Sequence, residues 1–441
     1  MAETRPRLLI VGLDRYTLDA CVRLGVDAVV VCGASGWDDG LMNVPPELTV
    51  LRVDDQSSAE AVLMGLRRAG LGAGDFDAVH TSDEYSVVTA GMVARQLGVP
   101  GLDPETAVRF RDKSLQKAAV HGAGLPAARC VVIEDVYSVS GLPELPFAPA
   151  VLKPVAGAAT ALTTSVRSIG ELRARSEEYR RNRTGQRTFV LEEHVVGDEW
   201  FVDGLVFEGE LLFLAVGAYG DPCLTAIESG RPLWLRHFDP SEESRVYEKA
   251  RGLVGPALDA LGLRDGAFHM ELFHDGPSGT LTFGECAARR GGALVHEQVQ
   301  AKFGVNIAEC AVQIALGRRP EIDAKVSPDV FGGCYLPGRA GTLLGCPTPE
   351  ELVALEQVRF ARIEHPVGTH FAAGAVHTSQ RIGQVMVVAA SVEQLTGRFE
   401  EVRRWFDERL WVLPDGLTTR GRREFQRDWR PDADFGDTLW R

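Results

Sequence analysis

Two glutamates inside neighbouring apolar segments constrain the fold of this chain more than any other feature. Glu271 lies in the segment GAFHMELF, and Glu285 lies in GTLTFGECA. The turn-rich sequence DGPSG separates the two segments, so the pattern predicts a β-hairpin. A lone carboxylate is costly to bury in an apolar strand, and a bound cation would compensate both charges. The alternative is a solvated strand face whose glutamates form salt bridges.

The residues after the second glutamate suit the same cation chemistry. Arg289 and Arg290 form a basic pair, and Gly291 and Gly292 follow as flexible backbone. Mg²⁺ takes oxygen ligands and often joins one or two carboxylates to phosphate oxygens. An arginine can neutralise the charge that develops when a phosphoryl group is transferred. The hairpin therefore predicts a magnesium site that handles phosphate.

Composition excludes several other classes of protein. The 441 residues include 47 basic and 61 acidic side chains, a net charge of −14, and no long basic stripe, which argues against nucleic acid as the main partner. Eight scattered cysteines without a C-x-x-C pair predict reduced thiols in a cytoplasmic protein. No run of 18 apolar residues occurs, so we expect no membrane span.

The first hundred residues alternate strand-like and helix-like segments, which predicts a small, doubly wound α/β lobe. One glycine, Gly12, follows the first strand where a dinucleotide fingerprint needs three, so NAD is not expected. Ser82, Asp83 and Glu84 follow the fourth strand, at the sheet edge where ligands bind. We expect them to contact substrate, although helix capping by Ser82 or Asp83 explains the pattern equally well.

Two further segments carry lysines suited to phosphate. Lys113 opens a helix in the sequence RDKSLQKAAV, and Lys153 ends the strand AVLK. A loop of small residues from Gly157 to Thr160 follows Lys153, and such a loop can fold its N–H groups over phosphates. A surface lysine is the ordinary interpretation of Lys113. The prediction that Lys113 and Lys153 contact phosphate therefore depends on the other motifs in the chain.

Together these motifs resemble the ATP-grasp ligases, whose pattern is approximately hydrophobic-x-E … E-x-N-x-R-x-G-G. Here it reads Glu271, then Glu285-Cys-Ala-Ala-Arg289-Arg-Gly-Gly. Ala287 stands where the family usually has Asn, so one protein ligand to the metal is missing and a water can replace it. The R-D-K segment, the K-P-x-x-G loop and the run E-E-H-V-x-G-x-E match the family in order.

The resemblance implies a role for each matched residue. Lys113 and Lys153 would hold the α and β phosphates, and the loop of Gly157 and Thr160 would cover them. Glu192 would lie near the adenine amino group, the backbone of Glu193 and Val195 would meet the adenine edge, and Glu199 would accept the ribose hydroxyls. The catalytic and metal-binding residues implied are Arg289 and His269, and Glu271 and Glu285.

The resemblance also implies an organisation into four parts: an N-terminal α/β domain over residues 1–110, a mobile lid over 111–190, a catalytic subdomain over 191–325, and a β-rich C-terminal lobe over 326–441. An irregular loop over residues 219–238 is expected to border the substrate pocket through Arg231, together with Arg290 and Gly291. By analogy, a homodimer through the N-terminal lobe is also expected.

The activity implied is ATP-dependent ligation, in which a carboxylate becomes an acyl phosphate and an amine then displaces phosphate. The closest resemblance is to the amino acid ligases that make dipeptides. ATP and Mg²⁺ are the expected cofactors, with two metal ions and Mn²⁺ as a substitute. The alternatives are an ATP-grasp ligase of another substrate class, nucleotide-biosynthetic or carboxylase-like, and a non-catalytic ATP-binding module.

Overall fold

The computed structural model describes residues 5–33, 44–372 and 381–417, together with residues 420, 421, 423 and 425. The described strands form four sheets. The first is a parallel sheet in the N-terminal lobe with strand order β3-β2-β1-β4. The elements of this lobe are β1 (Arg7–Val11), α1 (Arg15–Leu24), β2 (Asp27–Cys32), β3 (Thr49–Arg52), α2 (Ala59–Arg68), β4 (Ala78–His80) and α3 (Val87–Leu97).

Helices cover both faces of the parallel sheet, which is why its strands are apolar throughout. Leu9 and Val11 pack in one hydrophobic cluster, whereas Leu8 and Ile10 pack in another on the opposite face. Asp14 caps α1, because its carboxylate accepts the backbone N–H of Thr17. The doubly wound α/β lobe expected from the sequence is confirmed.

A second, antiparallel sheet with strand order β5-β8-β6-β7 lies in the segment expected to be a lid, and we call this part of the structure the lid. Its elements are β5 (Cys130–Ile133), β6 (Ala150–Pro154), β7 (Thr164–Val166), α6 (Ile169–Arg181) and β8 (Phe189–Glu193). The helices α4 (Pro104–Arg111) and α5 (Lys113–Gly122) precede the lid. Phe110 and Val120 of these helices pack in the core of the large sheet described next, while the lid has a separate core. The predicted lid boundary at residue 111 stays a prediction.

The large sheet contains eight strands of the described chain in the order β13-β12-β9-β10-β11-β14-β18-β16. The remaining elements are β9 (Asp198–Phe207), β10 (Glu210–Tyr219), α7 (Cys223–Glu228), β11 (Trp234–His237), α8 (Ser244–Leu261), β12 (Gly266–His274), β13 (Leu281–Ala287), α9 (Val295–Phe303), α10 (Ile307–Ala315), β14 (Val330–Pro337), β15 (Gly341–Gly345), α11 (Pro349–Val353), β16 (Val358–Ile363), β17 (His370–Phe371), β18 (Arg381–Ala389), α12 (Val392–Asp407) and β19 (Trp411–Leu413).

The C-terminal segment is β-rich, as expected, but three of its strands extend the large sheet. β14, β18 and β16 pair one after another beyond β11, and β17, β15 and β19 form a separate small sheet that shares a hydrophobic cluster with β14 and β18. The helix α8 packs on the face of Phe268, Met270 and Leu272, and α9 and α10 pack on the other face. The hairpin of β12 and β13 therefore belongs to one continuous sheet with the C-terminal strands β14, β18 and β16.

One expectation for the segment 219–238 is wrong. This segment is not a structureless loop, because it contains the helix α7 and the strand β11, which pairs with both β10 and β14. The sequence analysis missed both elements because they are short: the helix has six residues after Pro222, and the strand has four.

Within the described residues, no helix is long and apolar enough to span a membrane.

A core prediction follows from the burial of Phe268. Its side chain is fully buried in the cluster between β12 and α8. We expect Phe268→Ala to lower the free energy of unfolding by about 3–5 kcal/mol, since the substitution leaves a cavity. Denaturant titration measures the change. Leu115→Ala is the control, because Leu115 is 43% exposed and its truncation should cost about 0.5 kcal/mol or less. Equal midpoints for the two variants would contradict this assignment of the core.

Candidate active site

A cavity of about 530 Å³ lies where the lid faces the large sheet. Its lining brings together most of the residues singled out from the sequence: Glu84, Lys113, Lys153, Gly157, Thr160, Glu192, Glu193, Val195, Glu199, His269, Glu271, Glu285 and Arg289. These residues come from the N-terminal lobe, α5, the lid and three strands of the large sheet. A volume of this size suits a small-molecule ligand such as a nucleotide.

The two glutamates of the hairpin face the cavity together because of a β-bulge. β12 and β13 are antiparallel, with Glu271 opposite Glu285 but Leu272 opposite Phe283. Gly284 is therefore the extra residue of the bulge. Before it, Phe283 points into the core with Leu272; after it, Glu285 points into the cavity with Glu271. A Cβ atom at Gly284 would lie 2.7 Å from the carbonyl oxygen of Glu271, so glycine fits this close approach.

Glu285 is held between two lysines. Its Oε2 lies 3.5 Å from Lys113 Nζ and 3.4 Å from Lys153 Nζ. Burial raises the pKa of Glu285, but Lys113 and Lys153 outweigh it and lower the pKa to about 2. Lys153 Nζ also lies 3.1 Å from Glu192 Oε2. Burial lowers the pKa of Lys153, and the carboxylates of Glu192 and Glu285 reverse that shift and raise it.

The chain of charges continues to a residue that sequence reasoning missed. Lys117 Nζ lies 3.0 Å from Glu192 Oε1 and donates to the carbonyl oxygen of Phe283 at 3.1 Å. Its side chain is 1% exposed. The order of charges is Lys113, Glu285, Lys153, Glu192, Lys117. The spacing of Lys113 and Lys117, four residues apart on one helix, was the signal in the sequence, because it places both on the same helix face.

A second missed residue, Asp203, supports His269. Asp203 is fully buried on β9, and its Oδ2 lies 2.8 Å from His269 Nδ1. Its other oxygen accepts the backbone N–H of Gly291 at 2.6 Å. Burial lowers the pKa of His269, but Asp203 and Glu271 outweigh it and raise the pKa to about 10. Asp203 therefore connects β12, through His269, to the turn that carries Arg289 and Gly291.

Arg289 contacts the N-terminal lobe through Glu84. Its Nε donates to Glu84 Oε2 at 2.5 Å, and Arg111 donates to the other oxygen of the same carboxylate. Arg111 also donates to the carbonyl oxygens of Ala156 and Gly157 in the small-residue loop. One glutamate therefore connects the predicted phosphoryl-stabilising arginine, the helix α4 and the loop of the lid.

Arg290 and Gly291 lie outside the lining of this cavity. Arg290 donates to Asp14, the N-cap of α1, and its guanidinium lies 4.2 Å from the centre of the Tyr16 ring. A Cβ atom at Gly291 would lie 2.6 Å from His269 Nδ1. Both residues thus hold the site together in this structure: Arg290 joins the lobes, and Gly291 leaves room for the Asp203–His269 pair. Their predicted substrate contacts stay predictions.

The other predicted substrate residues are also held by protein partners. Ser82 Oγ lies 3.1 Å from Thr17 Oγ1, and Asp83 accepts a hydrogen bond from Gln56 at 3.0 Å. Ser82 and Arg290 line a neighbouring cavity of about 460 Å³, which shares Arg289 with the first. Arg231 forms an exposed ion pair with Asp221 at 3.1 Å and lines neither cavity.

Glu193, at the end of β8, and Glu199, near the start of β9, both line the cavity. Glu199 Oε2 accepts the backbone N–H of Cys223 at 2.8 Å. Burial, and then the nearby Glu271, raise the pKa of Glu199 to about 8. Glu193 turns its side chain outward to a bidentate pair with Arg129, which leaves only its backbone for a ligand. That orientation is compatible with the expected contact between the backbone of Glu193 and the adenine edge.

The donor set fits a magnesium ion that arrives with phosphate. Glu271 and Glu285 are opposite neighbours facing one cavity, and Mg²⁺ is commonly held by one or two carboxylates plus substrate oxygens. In the part of the chain described, no cluster of three or more His, Cys, Asp or Glu side chains is placed to hold a metal. The two carboxylates would therefore need phosphate oxygens and water to complete the coordination.

Comparison with known proteins agrees with this geometry. No family model matches the chain. It is 26% identical over 294 residues to an L-arginine-specific L-amino acid ligase of Bacillus subtilis, covering 66% of this chain and 70% of that protein. It is also 26% identical over 264 residues to human carnosine synthase 1, covering 55% of this chain but 31% of that longer protein.

Solved structures share the fold. An L-amino acid ligase from Bacillus licheniformis superposes with a TM-score of 0.75 at 21% identity, covering 94% of this chain and all of that one. The biotin carboxylase domain of the Hydrogenobacter thermophilus 2-oxoglutarate carboxylase, crystallised with MgADP, superposes with a TM-score of 0.63 at 16% identity, covering 93% and 91%. The fold is the ATP-grasp fold.

The fold and the relatives support an ATP-dependent carboxylate–amine ligase of the ATP-grasp class. Within that class, this chain is similar to the L-amino acid ligases.

The two adjacent glycines after Arg290 provide a matched pair of variants. A Cβ atom at Gly291 would lie 3.0 Å from each Asp203 oxygen and 2.6 Å from His269, whereas one at Gly292 would meet nothing within 4 Å. We expect Gly291→Ala to destabilise the protein by about 1–3 kcal/mol, because overpacking displaces the buried pair. Gly292→Ala should unfold at the temperature of the unmodified protein. Thermal unfolding compares them, and an equal loss in both would contradict the Asp203–His269 geometry.

The charge chain predicts that Mg²⁺ and ATP stabilise the protein jointly. Mg²⁺ alone must compete with two lysines for Glu285, and ATP alone must compete with Glu285 for those lysines. We expect the shift in unfolding temperature with both ligands to exceed the sum of the separate shifts. Differential scanning fluorimetry with Mg²⁺, with ATP and EDTA, and with both measures this. Additive shifts would show that the lysine–glutamate pairs do not oppose either ligand.

Proposed function

We propose that this protein joins the carboxylate of one amino acid, or amino-acid-like metabolite, to the amine of another, with conversion of ATP to ADP and phosphate. The observation that carries the proposal is the pairing of Glu285 with Lys113 and Lys153 beside Glu271 in one cavity. Such a set combines anionic ligands for a metal with cationic ligands for phosphate. The named relatives are ligases and synthases that support the amide-forming direction.

The reaction proceeds in two balanced steps. A carboxylate oxygen of the first substrate attacks the γ-phosphorus of ATP, the bond to the β–γ bridging oxygen breaks, and ADP leaves. The second substrate's amine attacks the acyl carbon, the bond from that carbon to the phosphate oxygen breaks, and the amine loses a proton. Because phosphoryl transfer needs little covalent help, the protein acts mainly by positioning and by charge.

Each side chain has a place in this scheme. Lys113 and Lys153 bind the α and β phosphates, and the loop from Gly157 to Thr160 covers them. Glu271 and Glu285 would hold Mg²⁺, which would supply positive charge beside the phosphates and the transferred group. We propose two Mg²⁺ ions, with Mn²⁺ able to substitute.

The transferred group meets two cations. Arg289 is 21% exposed at its side chain and lines the cavity, so its guanidinium can neutralise charge on the phosphoryl group and on the tetrahedral intermediate. His269, held by Asp203, faces the same cavity from the strand position two residues before Glu271. Its raised pKa favours the imidazolium form, which donates to phosphate or carboxylate oxygens.

The substrates enter beside the nucleotide. Glu84 lines the nucleotide cavity, Ser82 lines the adjoining one, and both cavities touch Arg289. Ser82, Asp83 and Glu84 are therefore the proposed substrate contacts of the N-terminal lobe. We further propose a cytoplasmic enzyme that assembles as a homodimer through that lobe.

The test is a screen of amino acid pairs for phosphate release, with mass spectrometry of the products. An amide ligase releases ADP and phosphate only with a suitable pair, and the product mass equals the sum of the substrates minus water. A ligase of another substrate class would release phosphate only with other carboxylates. Absence of Mg²⁺-dependent ADP release with every amino acid pair and with other carboxylates as well would support a non-catalytic ATP-binding module instead.

The metal assignment has its own prediction. Glu285→Gln removes a charged metal ligand but keeps the shape of the side chain. We expect it to reduce turnover by at least about 100-fold, because one anionic ligand and its electrostatic support are lost, while the fold persists. Glu210→Gln is the control: this exposed residue on β10 pairs only with Arg319 at the surface, and the variant should keep full turnover. Phosphate release measures both, and an active Glu285→Gln enzyme would refute the assignment.

A further inference from the structure

Lys117 carries a charge that the catalytic scheme does not use. Its ammonium group is buried behind Glu192 and does not line the nucleotide cavity. Its polar contacts are Glu192 Oε1 at 3.0 Å and the Phe283 carbonyl oxygen at 3.1 Å. A buried ammonium group is costly to desolvate and is rarely retained without a partner. Its position behind a ligand-facing carboxylate suggests a role that operates through that carboxylate.

Glu192 pairs with two lysines, Lys117 and Lys153, which differ in their access to the cavity. Lys153 lines the cavity, whereas Lys117 lies outside it. Lys153 Nζ lies 3.1 Å from Glu192 Oε2, and the same side chain lines the cavity. A phosphate in the cavity can therefore compete with Glu192 for Lys153. The contact between Lys117 and Glu192 has no competing ligand within reach.

Nucleotide binding redistributes these charges. Lys153 can approach phosphate only by weakening its pairs with Glu192 and Glu285, which would leave both carboxylates short of a counter-ion in a buried site. Mg²⁺ compensates Glu285. Nothing that arrives with the nucleotide compensates Glu192, because the adenine amino group expected beside it is neutral. Lys117 is the group placed to hold that charge.

We propose that Lys117 is a positioning residue for ATP: it stays paired with Glu192 and thereby frees Lys153 to bind phosphate. The proposal rests on ATP binding and not on the identity of the amino acid substrates. Without Lys117, Glu192 retains Lys153 as its sole counter-ion, so the phosphates must compete with a buried carboxylate for that lysine. Removing the charge of Glu192 as well eliminates the competition.

A double-mutant cycle tests this. The probe is Mg²⁺ with AMP-PNP, a non-hydrolysable ATP analogue, titrated by calorimetry into the full-length protein without amino acids. We expect Lys117→Met to weaken binding by roughly tenfold or more, as for coupled neighbours in one ion-pair network. Glu192→Gln is the second variant of the cycle, and adding Lys117→Met to it should change the affinity by less than about threefold, because no buried carboxylate is left to retain Lys153. A merely structural residue would weaken binding equally in both backgrounds.

Lys302 offers a matched control. It is also buried and ion-paired, to Asp239 at 2.6 Å, and it lies outside the nucleotide cavity. Lys302→Met should lower the unfolding temperature yet leave the AMP-PNP affinity unchanged, which separates lost stability from lost positioning. A general loss of affinity in Lys302→Met would overturn the proposal, because any buried lysine would then produce the effect.

Two other outcomes also count against it. Unchanged affinity in Lys117→Met would show that Lys153 needs no help to leave Glu192. An equal loss of affinity from Lys117→Met in the Glu192→Gln background would show that Lys117 does not act through Glu192. If Lys117→Met alone fails to fold, the comparison of the double variant with Glu192→Gln decides, since a neutral buried pair is often tolerated and the proposal requires these two variants to bind AMP-PNP alike. Failure of the amino acid screen would leave this binding measurement unaffected.

Discussion

The pairing of Glu285 with Lys113 and Lys153 is the interaction on which the organisation of the site depends. Glu285 comes from the large sheet, Lys113 from α5 and Lys153 from the lid, so a single carboxylate connects three parts of the protein. Removing one charged side chain from such a buried set typically lowers the free energy of unfolding by several kcal/mol, because an uncompensated charge remains. The alternation of charges therefore stabilises the two lysines proposed to bind phosphate in a buried cavity, and it joins the lid to the large sheet.

The sequence allowed the hairpin to be predicted but not the reason that both glutamates face one cavity. Strict alternation from Phe283 would have directed Glu285 to the same face as that core residue. The bulge at Gly284 changes the face, and a bulge depends on pairing with Glu271 across the hairpin, which one strand's sequence does not specify. The same limit applies to the segment 219–238, where a short helix and a short strand are stabilised by neighbours rather than by their own pattern.

Motifs predicted the residues that line the cavity more successfully than those that hold the lobes together. Lys113, Lys153, Glu271 and Glu285 stand in recognisable spacings, and all line the same cavity. Asp14, Asp203 and Lys117 stand in ordinary surroundings, and their roles appear only when distant strands and helices meet. Arg290 shows the difference clearly. Its place beside Arg289 predicts a substrate contact, whereas the structure pairs it with Asp14 and places it over Tyr16.

The charged groups around the cavity also explain why Ala287 can stand where a polar metal ligand is expected. Ala287 lies directly opposite His269, whose imidazole is fixed by the fully buried Asp203 and lies 3.9 Å from a Glu271 oxygen. This arrangement places an imidazole next to the carboxylates that we propose to hold the metal. A third protein ligand would add donor atoms to a cavity that already contains the carboxylates of Glu271, Glu285 and Glu199. Mg²⁺ retains water readily, so the loss of one amide ligand leaves a position that solvent or phosphate can fill without another buried polar side chain.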